Sequence, residues 1–176
     1  MKFYKFLLIV LIVSLSILVS CQKNDDLELP GIDLTLHDMD NGIKIIVPEL
    51  MNSNGHSPFI YTEINNNSDK EFQLNKQNGI YIFEYKKKQW VPVNNLMDYG
   101  YSVEAIIYPM NSGLPSKDTI VIVPDVTNEE ENILLLVVYI GEYISPDGST
   151  NQQAGAYRDF WLTPNRTVLT IDEESP

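Results

Sequence analysis

From Gly31 onward the chain alternates apolar and polar residues with a period of two, broken at short intervals by turn residues. That pattern dictates a β fold, because a strand sends successive side chains to opposite faces and so offers one face to a core. Strands are expected over residues 32–38, 43–48, 58–65, 71–74, 80–85, 90–93, 103–108, 119–123, 133–140, 156–162 and 167–171. Asp40-Asn41-Gly42 joins the first two, and Asn-Gly suits a tight hairpin because both central positions need positive φ. Asn66-Asn67-Ser68-Asp69, Asp147-Gly148 and Pro164-Asn165 supply further breaks. Asn128 followed by Glu129-Glu130-Glu131 imitates a helix start. The run after it ends in Val137-Val138-Tyr139-Ile140, however, and β-branched and aromatic residues prefer a pleated surface, so a strand is expected. Elsewhere there is no convincing helical period and no internal repeat. The expected fold is all-β, an antiparallel sandwich of about 7–9 strands with no substantial helix.

The chain has 176 residues, and residues 31–172 suit one β-sandwich domain, followed by a short acidic tail at 173–176. In size and rhythm the domain resembles the immunoglobulin-like sandwiches common in exported bacterial proteins, without their Cys…Trp…Cys signature.

Residues 1–20 stand apart. Lys2 and Lys5 precede an apolar run, Phe6 to Val19, that is short for a membrane span of roughly 20 residues but right for a secretory signal. Leu18-Val19-Ser20-Cys21 follows. This tetrad resembles the lipobox of bacterial lipoproteins, which implies cleavage between Ser20 and Cys21 and a lipid on the Cys21 sulfur. Cys21 is the sole cysteine, so no disulfide scaffold exists, and the resemblance gives the odd thiol a role. Residues 21–30, the lipidated Cys and a polar, acidic stretch ending in Leu29-Pro30, read as a flexible tether. Gln22-Lys23-Asn24-Asp25-Asp26 is similar to the short tags that send some Gram-negative lipoproteins to the outer cell surface, and a solvated spacer would look the same. The expected address is the cell envelope, lipid-anchored to a membrane, the outer membrane or cell surface included.

Charge and motif content exclude several functions. With 12 Lys and Arg against 24 Asp and Glu the net charge is −12, and beyond residue 20 it is −14 from 10 against 24. Such a chain does not bind nucleic acid, which needs Lys and Arg to neutralise phosphates. There is no Gly-rich phosphate cradle, no GxSxG elbow and no HExxH or CxxC spacing. His37 lies in an expected strand and His56 in a Ser-Asn-Gly-His-Ser loop, and neither has a recognisable catalytic partner. Asp38-Met39-Asp40-Asn41-Gly42 offers oxygens at alternate positions, but an EF-hand needs Asp or Asn where Gly42 stands. No metal, no cofactor and no catalysis are expected.

Aromatic residues mark the candidate binding surface: Tyr81, Phe83, Tyr85, Trp90, Tyr99 and Tyr101. Alternation sets Ile80 and Ile82 on one face of their strand and Tyr81, Phe83 and Tyr85 on the other. The simplest assignment sends the aromatics into the core and leaves the isoleucines partly exposed. The alternative turns the aromatics outward, where a ligand, a partner or the protein's own loops must cover them. Tyr99 and Tyr101 share a loop and could stack on sugar rings, and at Trp161 either that ring or Phe160 and Leu162 point inward. The Lys86-Lys87-Lys88 turn reads as a solvated hairpin tip, with anionic headgroups as its functional alternative. Residues 133–140 are apolar on both faces, which suits a central strand under a covering loop; self-association as a homo-oligomer is the rival. Together these features point to a non-catalytic envelope domain that binds a protein or glycan partner. An inhibitor or immunity-type protein that blocks a hydrolase is the alternative, and a small hydrolase comes third.

Overall fold

The computed structural model describes residues 29–33, 42–47, 50–51, 58–126, 131–145, 152–164 and 168–170. In chain order these form β1 (Ile43–Ile46), β2 (Leu50–Met51), β3 (Phe59–Asn66), β4 (Glu71–Asn75), β5 (Ile80–Lys86), β6 (Gln89–Val93), β7 (Glu104–Ile107), β8 (Lys117–Ile122), β9 (Ile133–Ile144), β10 (Gln152–Leu162) and β11 (Val168–Thr170). One 3-10 turn, Met110–Ser112, is the sole helical piece among the described residues. All strand pairs are antiparallel, and they make two sheets packed as a sandwich, as the period-two pattern requires.

In the smaller sheet β3 is central, with β8 along one edge and β1 and β2 along the other. The register shifts by one residue between β1 and β2, which both run along this edge of β3. In the larger sheet β9 is central. Ile133 to Tyr143 of it pair with β10, while its opposite edge is shared: β4 takes the C-terminal end and β5 the middle. The chain changes from one partner position to the next at a close backbone crossing. A Cβ on Gly79 would lie 2.3 Å from the Ile140 carbonyl oxygen, and one on Gly141 would lie 2.2 Å from that of Gln73, so neither position accepts a side chain.

The core lies between the sheets. Ile43, Ile45, Ile60, Ile64, Ile120 and Ile122 of the smaller sheet meet Phe72, Leu74, Ile80, Ile82, Leu135, Val137, Tyr139 and Phe160 of the larger. Each buried aliphatic or aromatic side chain contributes about 1.5–3 kcal/mol. Two polar links cross this core. The Tyr139 hydroxyl hydrogen-bonds with Thr62 Oγ1, which also donates to the Ile120 carbonyl at 2.9 Å. Asn66, fully buried on β3, donates through Nδ2 to the Ile107 carbonyl of β7 at 2.8 Å and to that of Lys70 at 2.7 Å.

Two expectations need correction. The isoleucines of β5, not its aromatics, face the inter-sheet core: Ile80 and Ile82 are buried there, while Tyr81, Phe83 and Tyr85 point to the outer side of the larger sheet. Period two establishes which residues share a face but not which face is inside, and the partners of β9 decided it. The strand expected over 32–38 does not begin where it should. Pro30 and Gly31 form a turn, and Ile32 packs as an irregular residue; positions 34–40 lie outside the described residues. At residues 133–140 the strand formed, extended to Ile144, and is central as expected. At β10, Phe160 and Leu162 are buried and Trp161 faces outward.

Candidate functional site

The outer face of the larger sheet gathers the aromatic residues. Directly opposed residues in an antiparallel pair share a face. The register opposes Trp90 to Tyr85, and Leu134 to Trp161, and one step beyond Glu84↔Leu135 it sets Tyr85 beside Leu134. Trp90, Tyr85, Leu134 and Trp161 therefore form one row across four strands. With strands about 4.8 Å apart, the row spans about 14 Å at backbone level. The next row is Pro92, Phe83, Leu136 and Asp159, and the one after it Tyr81, Val138 and Tyr157.

The middle of this face is covered by the chain itself. Leu29 and Ile32, 3% and 9% exposed, lie on Phe83, Leu136 and Val138, with Tyr81, Trp90 and Ile140 packed around them. Their sequence explains how. The Ile32 N–H donates to the Leu29 carbonyl at 3.2 Å, Pro30 occupies the second position of the turn, and Gly31 takes φ 79° at the third. These are the marks of a type II turn, which sets Leu29 and Ile32 side by side. Leu29 and Pro30 belong by composition to the tether, yet the described packing on the sheet begins at Leu29.

Beyond this strap the first row stays open. Tyr85 is 44% and Trp161 36% exposed, and Trp90 is half-buried. The Tyr85 and Trp90 rings lie 5.1 Å apart between centroids at an interplanar angle of 60°. The Tyr85 and Trp90 rings are held on paired strands, with β5 between β6 and β9, and present apolar surface beside the strap.

Next to the row, β5 turns into β6 through Lys87 and Lys88, with φ 52° and 67°. Two left-handed residues in a two-residue loop make the turn that Asn-Gly favours, and a side-chain-bearing residue costs about 1 kcal/mol at each position. Lys86 pairs with the buried Glu84 carboxylate at 2.7 Å, and Lys76 and Lys117 pair with Asp118 and Glu63. Lys87 and Lys88 are exposed and have no carboxylate partner among the described residues.

Of the six aromatics expected to make a surface, the structure brings Tyr81, Phe83, Tyr85 and Trp90 together. Phe83 is 1% exposed beneath the strap, so it supports the face without presenting itself. Tyr99 points inward: its hydroxyl donates to the Val121 carbonyl at 2.9 Å and accepts from Asn95 Nδ2 at 3.0 Å. Asn95 Oδ1 also accepts the Val123 N–H at 2.9 Å, so this loop seals the free edge of β8. Tyr101 is fully exposed in the same loop and stands apart from Tyr99. Trp161 belongs to the row and was an ambiguous residue in the sequence, where nothing linked it to Trp90, 71 positions away.

Burial raises the phenol pKa of Tyr139 well above its ordinary value despite the Thr62 hydrogen bond, and raises those of Tyr99 and Tyr143 as well. The folded chain thus holds protons that the unfolded chain releases above about pH 10, and stability falls as pH rises past that point. An absorbance titration should show tyrosinate still forming as the protein unfolds in alkali; all ten tyrosines ionised while the fold persists would contradict this.

No group of three or more His, Cys, Asp or Glu that could hold a metal occurs among the described residues, and no helix there is long and apolar enough to cross a membrane. Ser20, Cys21, His37, His56, the residues 38–41 and Asp147 lie outside the described residues. No protein-family model matches the chain, and no curated protein matches it significantly.

Proposed function

We propose that this chain is a lipid-anchored protein of the cell envelope whose β-sandwich binds a partner without catalysis, and that the partner is a glycan held on the row Trp90, Tyr85, Leu134 and Trp161. The carrying observation is that row: an apolar strip whose Tyr85 and Trp161 rings stay exposed beside the part of the face that Leu29 and Ile32 cover. Sugar rings offer apolar C–H faces and polar edges, and flat aromatic rings fixed on a sheet match the apolar faces. The lipobox resemblance at Leu18–Cys21 supports anchoring through Cys21.

The full chain in non-ionic detergent, electrophoresed through gels containing polysaccharides, should be retarded by its ligand. Exchanging the exposed Tyr85 and Trp161 for alanine should weaken that retardation about 30-fold, from about 1 kcal/mol of stacking at each ring. Unchanged retardation in a folded double variant would remove the row from the site.

A second reading, an inhibitor that blocks an envelope hydrolase, draws on the exposed Leu96, Tyr101, Met110 and Leu114 in the loops between β6 and β8. It requires a tight one-to-one complex with an enzyme that survives the Tyr85 and Trp161 exchanges.

A further inference from the structure

We propose that the glycan is acidic, its sugar rings lying on the aromatic row and its carboxylate, sulfate or phosphate groups meeting Lys87 and Lys88. This rests on the glycan reading above and adds the charge of the ligand to it.

Three observations converge on the turn. Both lysines occupy left-handed backbone positions that glycine or asparagine would fill with less strain, so the sequence keeps cations where the backbone disfavours them. Both lack a carboxylate partner among the described residues, in a chain with 24 acidic side chains, whereas the neighbouring Lys86 is paired with Glu84. And the turn lies just beyond the Tyr85–Trp90 pair along the hairpin, beside the row, so that a polymer resting on Tyr85 passes close to the lysine side chains.

An anionic membrane fits less well. The outermost residues of the hairpin, Lys86 to Gln89, are all polar, and the rings sit behind them on the sheet face.

The test uses the full chain in non-ionic detergent, with polygalacturonate and hyaluronan as probes, each beside its methyl ester, which keeps the backbone and removes the charge. Wild type should bind an acidic polymer more tightly than its ester, and added salt should narrow the gap. Exchanging Lys87→Asn together with Lys88→Gly installs the favoured turn, so this variant should melt about 3 °C higher. It should lose about tenfold in affinity for the acidic polymer, as two exposed charge contacts imply, and nothing for the ester. Equal binding of acid and ester by wild type, or full acidic binding by the Asn-Gly variant, overturns the proposal and leaves the glycan reading standing. Failure of every polysaccharide to bind, or binding only to phosphatidylglycerol vesicles, overturns both.

Discussion

Exchanging Leu29 and Ile32 together for asparagine should lower the stability of the domain by about 4 kcal/mol. Each side chain is almost wholly buried on the outer face of β5 and β9, and removing a Leu or Ile from such a place costs about 1.5–3 kcal/mol. For a chain of this size that is a fall in melting temperature of roughly 12 °C. Phe83, Leu136 and Val138 would then be open to water, so a hydrophobic dye should bind the folded variant and sedimentation should show association. A melting temperature within 2 °C of wild type, without dye binding, would mean that the strap contributes nothing. The result bears on function as well as stability. With the proposed anchor at Cys21, seven residues separate the lipid from Leu29, a reach of about 28 Å at full extension. Under the proposed anchoring, the strap would hold the domain on this short tether, and removing it would lengthen the leash.

Asn66→Ala should cost about 3 kcal/mol, more than its single side chain suggests. The amide donates to the carbonyls of Lys70 and Ile107, and its oxygen accepts the Ser68 N–H at 3.0 Å and the Ser68 hydroxyl at 2.6 Å. Alanine leaves a buried carbonyl on β7 without its donor and unties the turn between β3 and β4, and each unsatisfied buried group costs about 1–3 kcal/mol. Asn66→Asp separates hydrogen bonding from shape. Its carboxylate would face two carbonyl oxygens in a buried site, so the folded state holds the acid's pKa above the unfolded value of about 3.9. The folded variant then keeps a proton that the unfolded chain loses, and its stability relative to wild type falls as pH rises through that range. Chemical denaturation should thus show a smaller gap from wild type at pH 4 than at pH 7. A gap independent of pH would mean that the carboxylate escapes to water and that Asn66 is not the link described.

The positions of the strands were legible because alternation and turn chemistry are local. The apolar run at 133–140 could be read as a central strand since only a strand buried on both faces tolerates apolar residues at every position. The hairpin at Lys86–Gln89 was legible from the polar break between two alternating runs. The candidate site was legible only in part. Tyr81, Phe83, Tyr85 and Trp90 lie close in sequence and were grouped, but Trp161 joins them through the register of β9 with β10, a pairing over long chain separations. Tyr99 carries the same ring as Tyr101, and nothing local distinguishes the one whose hydroxyl is bound to Val121 from the one in water. The strap had a readable signal in Leu29-Pro30-Gly31-Ile32, a type II turn flanked by two aliphatics. What that turn would cover was not in those four residues.

Alternation and turn chemistry act within a few residues, so the short antiparallel strands, their approximate places along the chain and the side chains that share a face could be read from the order of residues. Tertiary structure alone decided which face of β5 is inside, what covers the other, and which aromatics stand in one row. Those outcomes depend on how strands distant in the chain pair and on which apolar surface finds a partner first, and burial free energy is indifferent to the order of residues along the chain.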